Sequence, residues 1–186
     1  LDPGHGGSDG GASANGLVGK NLTLQIAKYC KAELEQYSGV TVYMTRSDDR
    51  YLGLKERVDN AAANGANVFV SIHINSATVS SANGAEVYYP NANYISSVHA
   101  PGLNLAQQIQ DELVALGLYD RGIDVRNTVH DIYPDGSKPD YYGVIRYSKL
   151  AGFPGIIVEL AFTSTPIDAE TLAQASFLRQ PGIADT

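Results

Sequence analysis

Two stretches of this chain, Asn67-Val68-Phe69-Val70-Ser71-Ile72-His73 and Gly155-Ile156-Ile157-Val158-Glu159-Leu160, are apolar almost without alternation. An alternating strand can leave one face in water, but a continuous one has to be covered on both. Around these runs the apolar period lengthens to three and four residues. Leu22, Ile26, Tyr29, Cys30, Leu34 and Tyr37 mark one helix face up to the stop Ser38-Gly39. Leu52 to Asn64 reads as a second helix ended by Gly65, and Leu103 to Leu116 as a third ended by Gly117. Strands enclosed by helices predict an α/β fold, a three-layer αβα sandwich with a twisted, mostly parallel sheet. Val40 to Met44 and Gly84 to Tyr89 are expected as further strands, and a last helix is expected near Pro166 and Ile167. The Gly-rich opening, Gly4 to Gly16, and the Tyr119 to Lys149 stretch read as irregular loops.

At 186 residues the chain has the size of one domain, expected to span 1–186. It opens on Leu1-Asp2-Pro3-Gly4-His5 without the strand such a turn usually follows, as expected of a domain excised from a longer secreted protein with its first strand missing or clipped. Thirteen Lys+Arg against twenty Asp+Glu leave a net charge of −7, which argues against a nucleic-acid partner. No stretch approaches the roughly 20 apolar residues of a membrane helix, so membrane insertion is not expected. The single cysteine, Cys30, excludes an internal disulfide and a CxxC metal knuckle, and reads as a small buried hydrophobe.

Chemistry concentrates at three positions. His5 stands among Gly4, Gly6 and Gly7, where missing side chains allow close approach. His73 and Glu159 lie near the C-terminal ends of the two buried strands, the edge where open α/β sheets place ligands. Two imidazoles and a carboxylate meeting there suit a zinc hydrolase, with the glutamate free to take a proton from water. A purely structural reading fits the spacing equally: His5 capping a turn, His73 hydrogen-bonded in the core, Glu159 paired with Arg57 or Arg146. His99, beside Ala100-Pro101, reads as an exposed loop residue, and His130 as either a loop residue or a ligand. There is no GxSxG elbow, no GxGxxG and no phosphate loop.

The segment Leu1-Asp2-Pro3-Gly4-His5-Gly6-Gly7-Ser8-Asp9-Gly10-Gly11-Ala12 resembles the opening motif of the zinc-dependent N-acetylmuramoyl-L-alanine amidases. The resemblance continues through Thr45-Arg46, Asp49, Leu54 and Arg57, then Val70-Ser71-Ile72-His73-Ile74-Asn75 and Gly84-Ala85-Glu86-Val87-Tyr88-Tyr89. It ends at Val158-Glu159-Leu160-Ala161-Phe162-Thr163-Ser164, in family order across nearly the whole chain. It implies peptidoglycan as partner, hydrolysis of the bond between N-acetylmuramic acid and the first L-alanine of the stem peptide, and work outside the cell, in the wall or periplasm. It also implies Zn2+ as cofactor, His5 and His73 as ligands and Glu159 as the catalytic base. Asn75, Arg57 and Arg146 are candidate substrate contacts.

One position departs from that pattern. The family's third zinc ligand is a glutamate directly before a lysine at the start of the first helix; here Lys20 matches and Gly19 stands in the glutamate's place. Glycine has no ligand atom, which leaves three readings: a natural variant recruiting Asp9, Glu86 or His130, an inactivated enzyme, or a degenerate domain that binds peptidoglycan without cutting it.

Overall fold

The structure is a computed structural model that describes residues 1–79 and 81–179. In chain order the elements begin with β1 (Asp2–Pro3), the hairpin strands β2 (Ser13–Ala14) and β3 (Leu17–Val18), α1 (Gly19–Leu34) and α2 (Leu54–Ala63). Then come β4 (Phe69–Asn75), β5 (Ala85–Tyr88), a short 3-10 turn, α3 (His99–Ala115), β6 (Asp120–Asp124), α4 (Gly143–Ala151), β7 (Gly155–Phe162), α5 (Pro166–Leu172) and α6 (Ala175–Arg179). Five strands form one sheet in the order β1-β4-β7-β5-β6; only the β5–β7 pair is antiparallel. This is the mostly parallel α/β sandwich read from the sequence.

Residue parity along the strands assigns the two faces. Ile72, Ile74, Ile156, Val158 and Leu160 pack with Leu22 and Ile26 of α1, Ala106, Ile109 and Leu113 of α3, and Leu172 and Phe177 beyond them. Phe69 and Ile157 point the other way, onto Val58 of α2 and Val144 and Ile145 of α4. His73 and Glu159 have the parity of Phe69 and Ile157, so they share the α2/α4 face. Both central strands are therefore covered on both sides, which is why neither alternates.

Several expectations are corrected. Val40 to Met44 is not a regular strand: Leu1 donates its amino group to Tyr43 O (2.7 Å) and accepts from the following Thr45 N (3.0 Å), and Lys31 Nζ donates to Val42 O (2.6 Å). The Gly-rich opening holds the β2–β3 hairpin. Helix α3 starts at His99, four residues early, because Pro101 falls in its first turn, where a missing N–H costs no intrahelical bond. His99 is accordingly half-buried rather than a loop residue, with Nδ1 2.8 Å from Pro90 O.

The Tyr119 to Lys149 stretch contains β6 and most of α4. Strand β6 reads Asp-Arg-Gly-Ile-Asp, a charged edge strand of the kind that discourages unwanted pairing. Helix α4 buries Ser148 and Lys149 beside Val144 and Ile145, so its inward face is not apolar in sequence. Lys149 is fully buried against Asp140 (2.7 Å), a charge that burial tolerates because it is paired.

Candidate active site

The site lies where β1, β4 and β7 end. Residue His5 follows β1 and takes a left-handed backbone (φ 62°), sparsely populated for a side chain of this kind and held here by its surroundings. Arg57, 3% exposed, donates to Pro3 O (3.0 Å) and His5 O (2.8 Å) and pairs with Asp2 (2.8 Å). Arg46 donates to Pro3 O (2.9 Å) and Gly4 O (3.0 Å) from the other side. These two guanidiniums fix the turn so that the His5 ring meets His73. Glycine is required on both flanks: a Cβ at Gly4 would lie 2.5 Å from His73 Nε2, and one at Gly11 2.5 Å from His5 Cδ2.

His5 Nε2 and His73 Nδ1 are 3.1 Å apart. On its far side His5 Nδ1 lies 2.9 Å from Asp9 Oδ2, and Asp9 Oδ1 accepts Gly11 N. A carboxylate on Nδ1 fixes the tautomer and leaves the Nε2 lone pair facing His73. Burial, reinforced by the neighbouring His5, pushes the His73 pKa down to about 4, so its ring is neutral at ordinary pH. Two nitrogens at about 2.0–2.1 Å from a tetrahedral zinc stand roughly 3.3–3.4 Å apart, so this pair fits two corners of such a site. The fit stops there: among the described residues no group of three or more His, Cys, Asp or Glu could hold a metal. Asp9 is on the wrong nitrogen of His5, Glu86 is bonded to Asn75 (2.8 Å), and His130 is exposed in the loop before α4.

Glu159 is the Cα partner of His73 on one side and of Glu86 on the other. Its Oε2 is buried without a hydrogen-bond partner. Burial first, and then the Glu86 charge, push its pKa up to about 7. Neither arginine suggested as its partner takes that part. Arg57 is committed to Asp2, and Arg146 faces Asp131 at 3.3 Å and the Tyr147 ring at 5.8 Å. Asn75 turns its amide to Glu86 and accepts Ser76 N through Oδ1 (2.8 Å).

A cavity of about 140 Å³ beside the histidines is lined by Asp2, Asp9, Tyr51, Leu54, Tyr142 and Val144 among others. Tyr51 and Arg121 were not singled out by sequence: Tyr51 lines the cavity from the loop before α2, and Arg121 is brought beside Glu86 by strand register. A larger cleft, about 970 Å³, lies away from the chemistry between Leu1, Val40–Thr45, α2 and α3, and touches none of His5, His73 or Glu159.

Comparison with known proteins places the chain in a family. The family described as N-acetylmuramoyl-L-alanine amidase, Amidase_3, matches residues 1–185. The amidase LytC of Bacillus subtilis is 39% identical over 178 residues, covering 95% of this chain but 32% of LytC. The sporulation-specific N-acetylmuramoyl-L-alanine amidase of the same organism is 36% identical, over 96% of this chain and 61% of the relative. The chain thus spans about a third of one of these relatives and under two thirds of the other. Among solved structures, the catalytic domain of the amidase CwlV from Bacillus (Paenibacillus) polymyxa var. colistinus superposes with a TM-score of 0.80 at 33% identity, covering 99% of this chain and 92% of that one. The amidase from Clostridium difficile 630 gives 0.80 at 31% identity, covering 98% and 90%. Family model, relatives and solved structures agree, and the chain belongs to the N-acetylmuramoyl-L-alanine amidase family.

Proposed function

We propose that this domain hydrolyses the amide between N-acetylmuramic acid and L-alanine in peptidoglycan, working outside the cytoplasm, in the wall or periplasm. The observation that carries this is Glu159: a buried carboxyl with an unpartnered oxygen, opposite His73, whose pKa of about 7 lets it both take and return a proton near neutrality. Glu159 accepts a proton from the attacking water as the C–O bond forms. It then delivers the proton to the alanine nitrogen as the C–N bond breaks, leaving a lactyl carboxyl and a free amine. His5 Nε2 and His73 Nδ1 are the atoms that would hold zinc, and Asp9 keeps His5 in the tautomer that presents Nε2. Zinc supplies Lewis acidity when bound, polarising the carbonyl and making water more acidic. Asn75 holds the Glu86 carboxylate, Arg57 fixes the His5 backbone, and Arg146 faces Asp131.

The test is metal analysis of purified protein followed by dye release from labelled cell walls. Stoichiometric zinc with release supports the enzyme; wall binding without zinc or release marks a binding module instead.

Zinc affinity should also fall as pH falls, because protons compete for imidazole. His73, already neutral down to about 4, should add to that competition only in more acid solution. Zinc titrations across about pH 4 to 8 check this, and a flat response would mean that the imidazoles are not ligands.

A further inference from the structure

We propose that Arg121 is a specificity-determining residue that binds a carboxylate on the peptide side of the substrate, two strands away from Glu159. The proposal rests on the amidase reading above and names the chemistry of the peptide that this site selects. It begins from a row of side chains running across the sheet. His73 on β4, Glu159 on β7 and Glu86 on β5 are successive Cα partners and share the α2/α4 face. Strand β6 continues the row by an irregularity: Ala85 pairs with Asp120 but Val87 pairs with Ile123, so one extra residue is accommodated opposite Glu86. Gly122, with φ 83°, absorbs this bulge. The bulge turns Arg121 onto the face of Glu86, and its Nε lies 3.3 Å from Glu86 Oε2.

The Arg121 side chain is 32% exposed, and its guanidinium lies 5.0 Å over the Phe162 ring. Among the described residues Glu86 is its one ion-pair partner. Glu86 is itself held from the opposite side by Asn75 Nδ2 at 2.8 Å. A guanidinium carries five N–H donors in a fixed fork suited to bidentate carboxylate binding, and contact through Nε leaves the outer fork available. The other arginines near the site are less suited: Arg57 is buried and saturated, and Arg146 faces Asp131.

Distance then selects the position on the peptide. Neighbouring strands lie about 4.8 Å apart, which puts β6 roughly 10 Å from β7, and an extended peptide advances about 3.3 Å per residue. A chain leaving the scissile amide along the row therefore brings its second or third residue to Arg121. A free carboxylate there would otherwise meet the acidic pair Glu86 and Glu159, in a chain of net charge −7. Arg121 turns that repulsion into recognition.

The experiment measures binding of N-acetylmuramoyl-L-alanyl peptides that bear either a free carboxylate or a carboxamide at the second or third residue. It uses zinc-loaded Glu159→Gln protein so that no probe is turned over, with and without Arg121→Ala and Arg121→Lys. The expected result is a preference for the carboxylate of about tenfold or more at one of the two positions, lost in Arg121→Ala and partly kept in Arg121→Lys. Equal binding of acid and amide at both positions, or a preference surviving Arg121→Ala, would overturn the proposal. So would failure to bind any probe, and dye release by the unaltered protein then shows separately whether the amidase reading survives.

Discussion

Replacing Glu159 by Gln is expected to lower hydrolysis by about 10²–10⁴-fold, the usual worth of a general acid–base group, and to make the metal-free fold more stable at alkaline pH. Both effects have one origin. The carboxyl is buried with one oxygen unpartnered, beside the Glu86 charge, and its pKa stands at about 7 instead of the ordinary 4.5. Raised in the folded state, it contributes stability below the unfolded value that is lost as pH rises through 7. Gln keeps the shape without this loss. The variant should therefore match its parent near pH 4 and exceed it by on the order of 1–3 kcal/mol near pH 8. Urea midpoints of the two proteins across that range read the stability, and dye release from zinc-saturated protein reads the rate. A rate above about a tenth of the parental value would mean that another residue is the base. A midpoint difference that does not change with pH would mean that the carboxyl does not titrate in the folded chain as placed here.

The sequence was informative about this site in proportion to how local each signal is. Unbroken apolar runs ending in His73 and Glu159 revealed both the central strands and the two groups at their ends, because burial on both faces removes alternation. Arg57 and Arg146 were singled out by charge alone, which does not distinguish a guanidinium saturated by Asp2 and backbone carbonyls from one that faces a ligand. Glu86 and Arg121 could not be paired in advance, since their meeting depends on a crossover between β5 and β6 and on a bulge at Gly122. Helix α4 was hidden because its buried face includes Lys149, whose charge is answered by Asp140 from the preceding loop. The strand expected over Val40 to Met44 failed for the complementary reason: propensity was present, but a ladder needs an opposite strand, and the segment is met instead by the Leu1 amino group and the Lys31 side chain.

Gly19→Glu is the change expected to have the largest effect on metal binding. The histidines supply two donors at a spacing that suits zinc, and the described residues add no third. Catalytic zinc sites normally have three protein ligands, and even outer partners are worth about 10–100-fold in affinity, so a carboxylate supplied from position 19 as third ligand should gain at least that much. Position 19 can host it. Gly19 opens α1 with no acidic residue in the first turn, and its N–H donates to Ala12 O at 2.8 Å. A Cβ there would sit 3.0 Å from Ala12 O, against the turn whose Gly11 covers the His5 ring, so a few tenths of an ångström must be yielded by that turn. Against this crowding stands about 0.3–1 kcal/mol from a carboxylate at the helix N-terminus. Thermal melts without metal isolate this helix contribution, and chelator competition measures zinc affinity in the two proteins side by side. Recruitment of Asp9 or Glu86 instead would require Asp9 to leave His5 Nδ1, or Glu86 to leave Asn75 and Arg121. Equal, tight zinc binding by parent and variant would show that such a recruitment had occurred, and the missing ligand would then not be the defect.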